Sequence, residues 1–521
     1  MRVVFRVDAS TKMGSGHVMR CLTLAEALRE TGASVFFISR SHEGNLNHLV
    51  SKKGIQVLEL PKLTRVDINK ESTNGDDYKD WLGVTEEQDA QETIDAIGVE
   101  KPDWLIVDHY SLGEKWQKEL RFFAKNIFVI DDIANRRHDC EMLLDQNWFE
   151  NMDIRYDELV PKGCTKLLGP KYALLRQEFT EARKTLKPRN GTVKRVFIFI
   201  GGSDLNNLTG MTLRVLMDPE LAHLKVDVVI GGNNPHQDEI LKLAKACDNI
   251  NLHIQVNNMA SIMAKADLAI GAGGVNTWER MCLGIPSIVI SLSDNQKVQL
   301  SDLNSKKMIH LIGGINKTNK NIIKENIIKL LNNPSLIMNQ TNRIKNIVKG
   351  AGRNIVKDFL IGNLSNFQWK VIKATQNDLK LYWVWANDNK VRENALIKEA
   401  IPFDEHVIWF EKKLVDNKCS LFLIFVENCP IGQVRFEIKK DIARIDYSIA
   451  KQFRGRRMAK RLMSEAINKF WENNSIKILG EVLPENLSSA NTFKSLGFDL
   501  KYVNGNMIFT KELNEVEKAY A

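Results

Sequence analysis

The residues first able to do chemistry are those of Asp8-Ala-Ser-Thr-Lys-Met-Gly14-Ser-Gly16-His17-Val-Met-Arg20. A short apolar run ends at Asp8, small polar residues turn the chain, and an apolar stripe at Val18, Leu22, Ala25 and Leu28 predicts a helix opening at His17. Gly14 and Gly16 permit left-handed backbone and a close ligand approach. Free N–H groups at a helix start face anions. An imidazole held there is a candidate general base, although a histidine in a first helical turn can also be purely structural. Two further polar clusters, Asp108-His109-Tyr110 and Asp131-Asp132, follow the apolar runs Trp104–Val107 and Ile127–Ile130. In a parallel sheet they share the rim of His17. Asp131, Asp132 and His138 read as structural caps, and no metal site is expected.

A second set lies further on. Gly201-Gly202-Ser203-Asp204 follows a strand-like run, as does Gly271-Ala-Gly273-Gly274-Val-Asn-Thr-Trp-Glu279. A glycine run opening a helix offers a cradle of backbone N–H groups to a diphosphate. Gly202, Gly273 and Gly274 are its expected contacts, with Glu279 one turn along to meet a ribose diol. Asp294-Asn295-Gln296 falls after the next run, again on the rim.

The third set is Lys451-Gln-Phe-Arg454-Gly455-Arg456-Arg457-Met-Ala459-Lys-Arg461, joining a strand to the predicted helix Ala459–Trp471. Such a basic loop suits nucleic acid, solvent or a pyrophosphate; its place at a helix start favours the pyrophosphate. Asn486-Leu-Ser-Ser489 precedes Gly497-Phe498, and by itself is an ordinary helix cap.

Positioning these residues takes an α/β chain. Apolar runs at Val3–Val7, Ser34–Ile38, Trp104–Val107, Ile127–Ile130, Arg195–Ile200, Val226–Ile230, Asn251–Ile254, Leu268–Ile270 and Ser287–Ile290 alternate with helical stretches. Examples are His17–Glu30, Glu114–Ala124, Leu205–Met217 and Val275–Leu283. This predicts doubly wound parallel sheets. Residues 184–194, with Pro188, Asn190 and Gly191, read as a linker, and the pattern turns antiparallel after residue 367. Three domains follow: 1–188, 189–362 and 368–513. The composition, 44% hydrophobic and 26% charged, is that of a folded soluble chain. No apolar stretch is long enough to span a membrane and no signal peptide is visible, so a cytoplasmic protein is expected. Seven scattered cysteines without a CxxC pair fit a reducing compartment. The net charge of +9 is spread along the chain without aromatic-basic interleaving, so small polyanionic substrates explain it better than nucleic acid.

Residues 1 to about 360 resemble the UDP-sugar hydrolase of pseudaminic acid biosynthesis, a relative of the two-domain GT-B glycosyltransferases. The resemblance rests on Gly-x-Gly-His17, Asp108-His109-Tyr110, the Asp131-Asp132 stretch, Gly201-Gly202-Ser203-Asp204 and Asp294-Asn295-Gln296. It implies two Rossmann-like domains in a GT-B arrangement and inverting hydrolysis of UDP-2,4-diacetamido-2,4,6-trideoxy-β-L-altropyranose. It also implies His17 as general base, with Tyr110 and Asn295 near the sugar or diphosphate. The last domain resembles the α+β GNAT N-acetyltransferases and implies acetyl-CoA as co-substrate. Arg454 and Ala459 match the ends of that family's Arg-x-x-Gly-x-Gly/Ala loop, with Arg457 where glycine is usual. Asn486 matches the residue that contacts the pantetheine arm. Phe493 stands where the family commonly has a proton-donating tyrosine, leaving another group such as Tyr502 or water for that role, or unaided departure of the thiolate. Glu437, Asp446 and Glu481 are alternatives for the amine's base, and His406, on an apolar helix, reads as structural. Together these imply a bifunctional enzyme that acetylates a 4-amino UDP-sugar and then releases UDP. The alternative is a GT-B glycosyltransferase with a non-catalytic CoA-binding module.

Overall fold

Short runs of β-branched and aromatic residues, buried on both faces at the sheet centres, pair as two all-parallel sheets, and a third sheet is mixed. A computed structural model describes residues 1–61 and 78–513. The first sheet holds β1 (Arg2–Val7), β2 (Ser34–Arg40), β3 (Gln56–Leu60), β4 (Trp104–Asp108), β5 (Ile127–Ile130), β6 (Met142–Asp145) and β7 (Thr165–Leu168). Their order is β3-β2-β1-β4-β5-β6-β7. The second holds β8 (Arg195–Phe199), β9 (Lys225–Ile230), β10 (Ile250–Ile254), β11 (Leu268–Ala272), β12 (Ser287–Ser291) and β13 (His310–Gly314), ordered β10-β9-β8-β11-β12-β13. Each order reverses once, between β1 and β4 and between β8 and β11. Ligands bind at the carboxyl ends of the strands flanking such a switch point.

The third sheet comprises β14 (Trp369–Lys373), β15 (Cys419–Val426), β16 (Cys429–Lys439), β17 (Ile442–Ile449), β18 (Lys477–Val482), β19 (Asp499–Val503) and β20 (Asn506–Lys511), ordered β14-β15-β16-β17-β18-β20-β19. Its one parallel pair is β17 with β18. They pair only from Ile442↔Lys477 to Arg444↔Leu479 and then part, opening a gap in the sheet.

The runs read as strands agree with the structure to within two residues, whereas β3, β6, β7, β13, β14, β19 and β20 were not anticipated. The helix expected at Leu205–Met217 starts at Leu208. Asp204 accepts from the Leu208 and Thr209 N–H groups and Asn207 from Gly210, so both acceptors lie outside the helix they cap. The helix expected at Glu114–Ala124 ends at Leu120.

The 184–194 segment runs as coil and is pinned: the Arg189 guanidinium donates to the Ala266 and Leu283 carbonyls. Helix Gly352–Ile361 then crosses back to helix Gly16–Arg29 of the first lobe. Trp104 Nε1 donates to the Leu360 carbonyl at 3.0 Å, and Arg353 pairs with Glu30 at 2.7 Å. Among the described residues no helix is long and apolar enough to cross a membrane.

Candidate active sites

The β1–β4 switch point carries the first site. Val7 pairs with Asp108, so the ends of both strands meet beside helix Gly16–Arg29. Gly14 closes the preceding turn by donating to the Ser10 carbonyl at 2.8 Å, with φ +75°. Space beside Gly14 and Gly16 is open where a side chain would stand, as a ligand approaching the backbone requires. His17, nearly buried, meets Asp108 Oδ1 through Nδ1 at 2.6 Å. Burial by itself would raise Asp108, but the charges of Arg20 and His17 outweigh it and hold the carboxyl well below its usual range. An ionised Asp108 accepts from Nδ1–H, so the proton-accepting nitrogen of neutral His17 is Nε2.

Arg20, one turn along the same helix, clasps Asp108 through Nε at 2.6 Å and Nη2 at 2.7 Å, and reaches Asp132 through Nη1 at 2.9 Å. Tyr110 donates to Asp132 and lies edge-on to His17, with ring centroids 4.6 Å apart. Asp132 is therefore not the cap expected. Asp131 is: it accepts from Ala134 N–H at 2.9 Å and pairs with Arg136. His138 is buried beside Asp131. His109 lies beneath the site, 3.4 Å from buried Asp8. Among the described residues no group of three or more His, Cys, Asp and Glu is arranged to hold a metal ion.

The second lobe faces this cluster. Asn147 donates to Asp132 at 3.3 Å and accepts from Trp278 Nε1 at 3.0 Å, tying the His17 rim to helix Val275–Cys282. Gly274, with φ +86°, caps that helix. Gln296 lies against Gly273, where a Cβ would stand 2.7 Å from its Oε1. Gly201, with φ +106°, and Gly202 turn the chain after β8, with open space beside both. Glu279 is buried and held by Asn276 and Arg176. The Asn295 side chain lies outside the described residues. Between the lobes, Tyr78, Asp132, Phe149, Arg155, Asp294 and Val298 help to line a cleft of about 760 Å³. Asp132 was expected on this rim but as a cap; Arg20, Asn147 and Trp81, which stacks on Tyr110 and meets His17 edge-on, were not anticipated, and only Arg20, three residues after His17, left a local sign.

The third sheet carries the second site. The loop before helix Ala459–Trp471 takes positive φ at Gly455 (+70°) and Arg457 (+59°). No side chain caps the helix, so its first N–H groups remain available to a ligand. Arg457 thus adopts the glycine conformation without being glycine. Arg454 pairs with Asp388 at 2.5 Å and donates to the Ile449 carbonyl. Arg456 turns away from the loop: its guanidinium donates to the Phe359 and Leu360 carbonyls and lies over the Trp104 ring, so this side chain serves a domain contact. Asn486 accepts from Ser489 N–H at 3.2 Å, and Ser489 accepts from Tyr447, whose hydroxyl spans the β17–β18 gap. Phe493 is core, stacked on Phe509 and pressed against Gly480. Tyr502 is exposed on the outermost strand β19, away from that gap, whereas Tyr447 brings a phenol to it.

Residues 195–354 match the glycosyltransferase family 28 C-terminal domain, and residues 371–499 match the acetyltransferase (GNAT) domain. With the sheet orders above, the chain is a GT-B-type α/β body followed by a GNAT domain. It is 26% identical over 515 residues, 96% of each chain, to the uncharacterized protein MJ1062 of Methanocaldococcus jannaschii. It is 27% identical over 271 residues to the UDP-2,4-diacetamido-2,4,6-trideoxy-beta-L-altropyranose hydrolase of Campylobacter jejuni, covering 52% of this chain and 84% of that one. To the spore coat polysaccharide biosynthesis protein SpsG of Bacillus subtilis it is 25% identical over 300 residues, covering 57% and 79%. The chain is a relative of that hydrolase and of SpsG, joined to a GNAT domain.

Proposed function

We propose that the chain carries out two consecutive reactions on one nucleotide sugar. The GNAT domain transfers acetyl from acetyl-CoA to the 4-amino group of a UDP-sugar. The GT-B body then hydrolyses UDP-2,4-diacetamido-2,4,6-trideoxy-β-L-altropyranose to UDP and the free sugar with inversion. The observation that carries the hydrolase reading is the Asp108–His17 pair at the β1–β4 switch point. Asp108 fixes the tautomer, and Nε2 takes a proton from water as it attacks the anomeric carbon. Backbone N–H groups of the Gly273–Gly274 turn and the helix it opens stabilise the departing diphosphate, with Gly202 and Gln296 at the rim. UDP is a good leaving group once its charge is met, so no strong general acid is needed. In the GNAT domain, the Arg454–Ala459 loop and Asn486 hold the pyrophosphate and pantetheine of acetyl-CoA through backbone N–H groups and the Asn486 amide.

Fusion raises the effective concentration of the acetylated intermediate at the hydrolase site. The test is UDP release from UDP-4-amino-4,6-dideoxy-N-acetyl-altrosamine with and without acetyl-CoA. UDP should appear only with acetyl-CoA, alongside free CoA. A glycosylated acceptor in place of free sugar would make the body a transferase, and acetyl-CoA binding without turnover would make the GNAT domain a binding module.

A further inference from the structure

On the face of the third sheet opposite helix Ala459–Trp471 lies a cavity of about 490 Å³. Side chains alternate across a strand: Phe436 stacks on Phe470 of that helix, so its neighbours Arg435 and Glu437 face the cavity. Ser448 and Glu481 bring the cavity to the gap between β17 and β18, and Tyr447 flanks the gap on the other face, where its hydroxyl donates to Ser489. The cavity therefore meets the acetyl-CoA side where the sheet is open.

Its wall holds polar atoms that are buried without a hydrogen-bond partner among the described residues: His406 Nε2, Ser448 Oγ, Gln433 Oε1 and Arg392 Nε. His406 is 2% exposed and Ser448 6%. Leaving such an atom unsatisfied costs about 1–3 kcal/mol, and several around one cavity are accounted for by a polar ligand that bonds them.

The carboxylates on this wall are already committed to cations. Glu437 pairs with Lys413 at 2.9 Å and Arg435 at 3.1 Å. Glu481 pairs with Arg444 at 3.0 Å, and Asp446 with Arg435 at 3.3 Å. An ion-paired carboxylate has lost basicity. Burial would raise Glu437, yet the Lys413 hydrogen bond and the Arg435 charge outweigh it and leave its carboxyl below the usual range. Glu405, beside His406 on helix Phe403–Val415, is exposed. His406 differs from all of them. Burial lowers its proton affinity against a hydrogen bond to the Leu379 backbone, so the ring is neutral at neutral pH. Packing against Trp409 and Phe410 fixes its plane.

Building on the acetyl-transfer reading above, we propose that His406 is the general base of that site, taking a proton from the acceptor's ammonium through Nε2. The free amine then attacks the thioester carbonyl, forming C–N and breaking C–S. The nitrogen's second proton neutralises the CoA thiolate, and His406 returns the first to water, so each turnover releases one proton, amide and CoA thiol.

The experiment follows CoA thiol release by the full chain against pH, with acetyl-CoA and UDP-4-amino-4,6-dideoxy-N-acetyl-altrosamine. His406→Gln should lower kcat by about 10²-fold or more at pH 7, leave KM for acetyl-CoA unchanged, and recover toward wild type as pH rises and the amine deprotonates unaided. His406→Ala should regain rate with added imidazole, and the thermal midpoints of both variants establish that they fold. A variant profile parallel to wild type, or the loss falling instead on Glu437→Gln or Glu481→Gln, would overturn the assignment. A wild-type chain inactive on this sugar would overturn the acceptor reading alone. The same profiles on a panel of small primary amines then decide His406.

Discussion

At the scale of single residues, one hydrogen bond divides the labour of the first site. Asp108 holds the His17 proton on Nδ1 and so leaves Nε2 as the nitrogen able to accept one, as the proposed hydrolysis requires. His17→Ala should abolish UDP release while leaving CoA release intact, and loss of both would show that the sites are not independent. Asp108→Asn should lower the hydrolytic kcat by about 10²–10⁴-fold with little change in KM, since the residue acts on the base and not on the substrate. It should also destabilise the lobe, because the buried Arg20 loses its main counter-charge. Arg457 has a separate liability. A left-handed conformation in a residue other than glycine costs about 1 kcal/mol, so Arg457→Gly should raise GNAT-domain stability by about 0.5–1 kcal/mol in thermal unfolding. His17 was legible because glycines, a strand end and a helix start surround it within a few residues. The contact of Arg20 with Asp132 was not, its partners being 112 positions apart. His406 was hidden by its setting: an apolar helix predicts burial but cannot show that the residue lines a cavity with Nε2 unpaired among the described residues.

At the scale of elements, parallel register sets the electrostatics behind the first site. Ile130 pairs with Leu144, so the carboxyl ends of β5 and β6 place Asp131 and Asp145 side by side. Burial, then the nearby Asp132 charge, push Asp145 up to about 8. In the unfolded chain an aspartate ionises near ~3.9. Between about pH 4 and 8 the unfolded state therefore binds fewer protons, and stability should fall as pH rises through that window, by at most about 1.4 kcal/mol per unit. Asp145→Asn copies the protonated acid and should flatten that slope, becoming relatively more stable at pH 8 than at pH 5. Denaturant midpoints across that range check it. The sheet centres β1, β4, β8 and β11 were readable as continuous apolar runs with turn signals beyond them. β6 and β7 were not: Asp145 and Lys166 interrupt these four-residue runs, whereas the equally short β5 is wholly apolar. Edge strand β13 ends in two glycines, which pattern reading assigns to a turn.

At the scale of the whole molecule, helix Gly352–Ile361 joins parts that the linear order keeps separate. One side packs on helix Gly16–Arg29, and Phe359 on the other meets Phe453 of the GNAT domain at 6.2 Å. The C-terminal carbonyls of this helix receive Trp104 of the first lobe and Arg456 of the GNAT loop. Gln452 adds a bond to Thr165 at 2.8 Å and Lys451 pairs with Glu141 at 2.9 Å, so the residues before the Arg454–Ala459 loop brace the domain against the first sheet. The buried apolar residues on one face of the first sheet, this helix and the GNAT domain form one continuous cluster. Sequence order gave three successive domains and no sign of how they pack, since contacts across such separations leave no local pattern. A shared core couples unfolding, so the first lobe and the GNAT domain should melt in one calorimetric transition. Phe359→Ala removes a fully buried ring from the join and should cost about 3–5 kcal/mol. That loss should separate the GNAT melt from that of the first lobe while each catalytic reaction, assayed below both transitions, continues. Two transitions already present in the wild-type chain would show that the cluster is contiguous without being cooperative.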